Sequence, residues 1–194
     1  MSASLLRRRG LLALALASAA SGCSSPEPAY YTLGTAPGAP QRGGPRLIEL
    51  RRPSVAGYLD RAEIVRGDTG GYRLDVRAGE RWGEPFDAMM GRVLTEDLNQ
   101  RLPGTTVFTA QGSLSPDPQA RIEVDVPRFD LGTNGRVVLR AQVAVSRSAG
   151  GAVRTRTVQI ETVPASAGTP ALVAAMSQAL GQLADAVASM LRAS

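Results

Sequence analysis

Few side chains in this sequence could do chemistry. It has one cysteine, Cys23, and neither histidine nor lysine among its 194 residues. Without His there is no Ser-His-Asp or Cys-His nucleophile pair and no His-ligated zinc site. Without Lys there is no P-loop, no Ser-Lys dyad and no Schiff base. Carboxylate chemistry survives, and its closest pair is Glu123 and Asp125, alternating with Ile122, Val124 and Val126. Strand alternation places both on one face beside Arg121, where a solvated, charge-paired strand face explains them better than an acid/base site does. The sequence therefore predicts no catalytic residue, no metal site and no cofactor.

Cys23 has a more specific setting. Arg7, Arg8 and Arg9 form a positive segment, Leu11 to Ala20 an apolar one without charge, and Ala20-Ser21-Gly22-Cys23 follows at once. This is the anatomy of a bacterial lipoprotein signal, in which small residues precede a thiol that takes up a diacylglycerol before the bond on its amino side is cut. The apolar run is about half the roughly 20 residues a membrane-spanning helix needs. Ordinary secretion is the alternative, since Ala17-Ser18-Ala19 offers an A-x-A site and Ala20 stands where Leu is usual. A solitary thiol has no disulfide partner, which favours the lipid. The expected organisation is a signal over residues 1–22, a lipidated tether over 23–29 and one domain over 30–194.

With residues 1–22 removed, 172 of the 194 residues remain, enough for a single core without staples. Three of the 22 Arg leave with the signal, so 19 Arg face 17 acids. The high isoelectric point reflects Arg staying charged far above neutral pH, rather than a basic surface built for nucleic acid.

The elements that position these residues follow from periodicity. Tyr30 to Leu33 predicts a short strand, and seven residues between the lipid and Tyr30 span at most about 25 Å. Gly34 to Pro45 is a Gly- and Pro-rich loop. Leu47–Leu50, Glu63–Arg66 and Tyr72–Val76 predict strands, with a connecting loop from Val55 to Arg61. Arg46, Arg51, Arg52, Arg61 and Arg66 could meet lipid phosphates or an acidic partner, but Glu49, Asp60 and Glu63 are interspersed, as on a solvated mixed surface. Pro85 opens a helix whose Phe86, Met89, Met90, Val93, Leu94, Leu98 and Leu102 recur at helical spacing until Pro103-Gly104. Trp82, the only Trp, stands before it as a core cap or a docking anchor.

The second half reads as strands over Thr105–Thr109, Arg121–Val126 ahead of Pro127, Val137–Ser146 and Arg154–Thr162. Short turns between the last three imply an antiparallel meander. A helix from Thr169 to about Leu191 carries Leu172, Met176, Leu180, Leu183, Val187 and Met190 in one stripe. The fold class expected is α+β: a single domain with a mixed, largely antiparallel sheet packed by two main helices.

Several of these runs resemble one family. Arg81-Trp82-Gly83-Glu84-Pro85-Phe86 leading into Arg92-Val93-Leu94-Thr95-Glu96-Asp97-Leu98 and Leu102-Pro103-Gly104 is similar to the signature of the PqiC-type auxiliary lipoproteins of ABC-linked MCE transport systems. So are Tyr30-Tyr31-Thr32-Leu33 and Tyr58-Leu59-Asp60-Arg61 with Glu63-Ile64-Val65. The resemblance implies a periplasmic lipoprotein, anchored in the outer membrane through Cys23, that serves an MCE-domain protein in moving phospholipid between membranes. Tyr58, Arg61 and Trp82 are the candidate partner-binding residues, no nucleic acid is involved, and a homo-oligomer is compatible. The rival expectation is an outer-membrane lipoprotein that activates or assembles another envelope machine, such as a cell-wall synthase or a β-barrel assembly.

Overall fold

The computed structural model describes residues 27–68, 73–110, 116–148 and 150–192, so the predicted signal and Cys23 lie outside the described residues. The strands are β1 (Ala29–Tyr31), β2 (Leu47–Leu50), β3 (Ser54–Val55), β4 (Glu63–Asp68) and β5 (Leu74–Trp82), then, after helix α1 (Phe86–Arg101), β6 (Thr106–Thr109), β7 (Ala120–Leu131), β8 (Val137–Arg147) and β9 (Arg154–Thr162), before helix α2 (Thr169–Arg192). They form two sheets: a three-stranded one in the order β1-β5-β4, and a six-stranded one in the order β6-β2-β7-β8-β9 with β3 added beside β7. The long strands β7, β8 and β9 are the expected antiparallel meander, while the short strands β2, β3 and β6 join in parallel. The architecture is a mixed α+β domain with two helices on one face of the larger sheet.

The periodic segments bury the faces their spacing predicts. On α1 all seven of Phe86, Met89, Met90, Val93, Leu94, Leu98 and Leu102 are at most 1% exposed. On α2 the six stripe residues are buried, and Ala175, Ala179, Ala184 and Ala188 between them are at most 2% exposed. Such small side chains let α2 lie close to the sheet and to α1. This helix is long and apolar enough to cross a membrane, but 67% of its apolar stretch is buried within the fold, as in a core helix.

Two strands run further than their sequence pattern indicates. β5 continues from Val76 to Trp82, because Arg77 to Arg81 are partly or fully exposed and so show no apolar alternation. β7 does not end before Pro127 but passes through it to Leu131. The register of β7 against β8 shifts between Asp125 and Arg128, so the proline sits in a bulge where the ladder requires no N–H from it. β3, within the expected connecting segment, pairs Val55 with Val126 at the same place. Past the bulge, Gly67 of β4 crosses the end of β7 with φ +82°, and a Cβ there would lie 2.1 Å from the Leu131 carbonyl oxygen.

The loop from Gly34 to Pro45 is strapped over both helices. The Gly34 N–H donates to Ser177 Oγ at 3.0 Å on α2, and the Ala36 N–H to Asp97 Oδ1 at 2.9 Å on α1. Arg101 returns a bond from Nη1 to the Ala36 carbonyl at 3.0 Å, and its own carbonyl accepts from the Gln41 N–H at 2.6 Å. Backbone groups that a loop would otherwise leave to water are thus paired, and the strap fixes where β1 enters the fold.

Candidate functional site

Arg61 and Trp82 come together. Trp82 closes β5 and its amide donates to the Ala62 carbonyl at 2.8 Å, while the Gly83 amide donates to the Tyr31 carbonyl at 2.9 Å. These bonds bring the turn before β4, the end of β5 and the end of β1 into one place. Between them lies a cleft of about 370 Å³, lined by Asp60, Arg61, Trp82, Glu84, Pro85 and Phe86 among others. Trp82 is 6% exposed, its ring 5.1 Å from that of Phe86, which in turn stands 5.9 Å from Phe129. The indole is therefore the floor of the cleft and the cap of the core at once. Arg61 stands exposed at the rim with no ion-pair partner within 4.0 Å among the described residues.

Tyr58 is turned elsewhere. Its hydroxyl donates to Asp130 Oδ2 at 2.6 Å, and Asp130 Oδ1 accepts from Arg128 Nε at 2.9 Å. Burial, and then the bond to Asp130, push the phenol well above its ordinary pKa, so it remains a neutral donor. It braces the segment carrying Arg61 against β7 instead of lining the cleft. Cys23 lies outside the described residues.

The carboxylate pair stands on the outer face of the larger sheet. Glu123 and Asp125 are both exposed, Glu123 forms an ion pair with Arg51 at 2.9 Å, and Arg121 pairs with Glu49 at 2.8 Å. They line an open groove of about 670 Å³ with Arg51, Arg52, Gln142 and Arg156. This is a solvated, charge-paired strand face. Two more of the arginines picked out by sequence find partners: Arg52 binds Asp87 at the start of α1, and Arg66 reaches Thr169 and the Ala167 carbonyl at the start of α2. Arg66 thereby staples the smaller sheet to the second helix. Among the described residues no group of three or more His, Cys, Asp or Glu comes together to hold a metal ion.

Sequence reasoning missed one charged centre. Arg101 is 1% exposed and Asp97 is 0% exposed, with Arg101 Nη1 3.5 Å from Asp97 Oδ1 and Arg101 Nε 2.6 Å from Asp185 Oδ1 on α2. Burial raises the Asp97 carboxyl above its ordinary value, opposed by the Ala36 N–H and by Arg101. The i,i+4 spacing of Asp97 and Arg101 was a signal that could have found the pair. Its burial was not, since that depends on the overlying loop.

Residues 31–188 match the family model described as ABC-type transport auxiliary lipoprotein component. No curated protein matches the chain. Among solved structures, one described as an uncharacterized protein superposes with a TM-score of 0.69 at 20% identity, covering 84% of this chain and 98% of that one. Protein XCC0632 from Xanthomonas campestris, assigned to DUF330, gives a TM-score of 0.66 at 22% identity over 84% of this chain and 94% of its own. A PelC dodecamer from Paraburkholderia phytofirmans is more remote, with a TM-score of 0.41 at 13% identity over 76% of this chain and 90% of that one.

Proposed function

The chain belongs to the family of ABC-type transport auxiliary lipoprotein components, and from that membership we propose a non-catalytic accessory, acylated on Cys23 and held at the periplasmic face of the outer membrane. There it docks the MCE-domain protein of an ABC-type system that moves phospholipid between membranes. The observation that carries the docking role is the convergence of Arg61 and Trp82 on one cleft beside β1. A rigid aromatic floor with an exposed guanidinium at its rim, unpaired among the described residues, suits a partner's apolar side chain flanked by a carboxylate. Tyr58 contributes by holding this segment in place through Asp130. The absence of Lys and His from the sequence fits a part that positions others rather than one that hydrolyses nucleotide.

Photocrosslinking in cells tests this. A photoreactive residue at position 61 should capture an MCE-domain protein, while one at position 140, on the outer face of the sheet, should not. Capture from position 61 of a cell-wall synthase or a β-barrel assembly protein would assign the chain to that machine instead.

A further inference from the structure

The larger sheet ends on β9, which pairs with β8 on one side and with no other strand among the described residues. Every residue from Arg154 to Thr162 has its partner in β8, from Val145 to Val137, without a register shift. The other side of β9 is therefore a regular run of about 30 Å along which alternate residues turn their N–H and C=O away from β8. No backbone hydrogen bond joins β9 to a loop among the described residues. Sheets blunt such edges with short strands, bulges or proline. β1 and β6 are short, with three and four residues, and β4 carries two register shifts. β9 has nine residues and contains neither Pro nor Gly.

The side chains along this edge divide it in two. Arg154, Arg156, Val158, Ile160 and Thr162 share one face as alternate residues, and the two arginines lie opposite the buried Val145 and Val143 of β8. α2 covers the far half of that face: Val158 and Ile160 are 8% exposed, and Thr162 Oγ1 donates to the Ala175 carbonyl at 2.8 Å. Arg154 and Arg156 are exposed on the near half, and neither has a carboxylate within 4.0 Å among the described residues. The acid of this strand, Glu161, lies on the opposite face, 4.0 Å from Arg136.

The two arginines decide what can pair here. Where β9 meets β9 of a second copy in an antiparallel sheet, residues opposite each other share a face, and the five residues of this face include no carboxylate. The guanidiniums of both copies would stay unpaired in every such register, which guards the edge against self-association. A strand with carboxylates at alternate positions meets them instead as cross-strand ion pairs. We propose that β9, from Arg154 to Thr162, takes up an extended acidic segment of a second partner protein as an added strand. The backbone of that segment pairs with the outward N–H and C=O groups. Two of its acidic side chains face Arg154 and Arg156, and aliphatic ones cover Val158 and Ile160 beside α2. β9 lines no part of the Arg61–Trp82 cleft, and this pairing needs no lipid on Cys23.

The test uses the full chain in mild detergent and synthetic peptides the length of β9. The peptides alternate threonine with two valines and then two glutamates, or with the reverse order, so that antiparallel and parallel pairing are both offered. Matched peptides carry glutamine in place of glutamate. In the free chain, alternate amides of β9 should exchange rapidly with deuterium. One of the acidic peptides should slow them severalfold and, by fluorescence anisotropy, bind about tenfold more tightly than its glutamine counterpart. The double variant Arg154→Gln, Arg156→Gln, altered only at exposed positions, should keep the parent's melting transition and lose that preference. Outward amides already protected in the free chain would mean that the edge is covered by this chain or, where protection grows with protein concentration, by a second copy; either overturns the proposal. Equal binding of acidic and glutamine peptides overturns it, as does a preference that survives the double variant. Absence of binding by every peptide assigns the arginines to edge protection alone and overturns it too.

Discussion

Arg101 Nε donates to Asp185 Oδ1 at 2.6 Å, joining the last turn of α1 to the middle of α2 through a guanidinium that is 1% exposed. The same guanidinium holds the Ala36 carbonyl at 3.0 Å and the Pro37 carbonyl at 3.4 Å, so one side chain gathers both helices and the loop that leads from β1. Two glycines make room for it. A Cβ at Gly38 would lie 2.2 Å from Arg101 Cζ, and one at Gly181 would lie 2.5 Å from the Ala36 Cβ.

Arg101→Ala should accordingly cost about 3–5 kcal/mol, since it leaves Asp97 buried without its cation. Arg101→Lys should not restore the loss, because a single ammonium cannot span a carboxylate and two carbonyls as the planar guanidinium does. Gly181→Ala should cost about 1–3 kcal/mol by pushing the strap off α2. Denaturant melts measure all three, and an Arg101→Ala midpoint close to the parent's would show that the loop is held by other contacts.

Two carboxylates give opposite pH dependences. The Asp87 carboxyl lies below its ordinary value of 3.8, chiefly through the bond from Arg52. Its contribution to stability is present above about pH 4 and is lost as pH falls through the folded value. The Asp97 carboxyl lies above 3.8 because it is buried. Its contribution is complete below about pH 4 and is lost as pH rises through the folded value. Between pH 7 and pH 3, Asp87→Asn should therefore lose less stability than the parent. Asp97→Asn should compare more favourably with the parent at pH 7 than at pH 3. Parallel pH profiles for the parent and either variant would contradict the assigned direction for that residue.

The buried face of α1 is tested by a pair of substitutions two residues apart. Leu94 is 0% exposed, so Leu94→Ala should cost about 2–5 kcal/mol as a core truncation. Arg92 is 44% exposed, and its contacts with Glu84 at 2.6 Å and Glu96 at 3.5 Å lie at the surface. Arg92→Ala should cost under about 1 kcal/mol. Comparable losses would mean that the helix presents a different face.

Both helix faces were legible because a 3.6-residue repeat is a local property, recorded in Phe86 to Leu102 and in Leu172 to Met190 without reference to the rest of the chain. The parallel pairing of β2 with both β6 and β7 was not, since Leu47 and Thr106 meet only after a long excursion through β4, β5 and α1. Pro127 reads as a strand stop, and only the bulge beside Asp125 lets β7 continue. Arg101 stands in the last turn of α1, where the helix dipole favours a basic residue whether or not it is buried. Its burial depends on carbonyls at Ala36 and Pro37 and a carboxylate at Asp185, none of them within its own helix. Of the three candidate contact residues, Arg61 and Trp82 meet because β4 and β5 pair, whereas Asp130 draws Tyr58 toward β7.

Acylation is tested directly by labelled fatty acid, which should enter the parent chain and be absent from Cys23→Ser; label retained in that variant would remove Cys23 from its role.

Anchoring and folding should separate cleanly. The described core begins at β1, and the strap over α1 and α2 holds the following loop from within the domain. A chain starting at Ser24, without lipid, should therefore unfold cooperatively with nearly the stability of the acylated form. Its service to the transport system should nevertheless fail or weaken. On the proposed role, acyl chains worth about 0.8 kcal/mol per buried methylene would be what confines the domain to the membrane surface. Tether length enters the same argument, because on this reading the seven residues from Cys23 to Ala29 would hold the cleft within a narrow range of heights. Inserting about 20 flexible residues after Ser24 should lower the effective concentration of the cleft at its partner and weaken capture from position 61, with folding and acylation unchanged. Complementation of a deletion strain at native expression separates the possibilities. Full activity from the unlipidated periplasmic form would mean that confinement at the membrane is dispensable, and the docking role would fall with it.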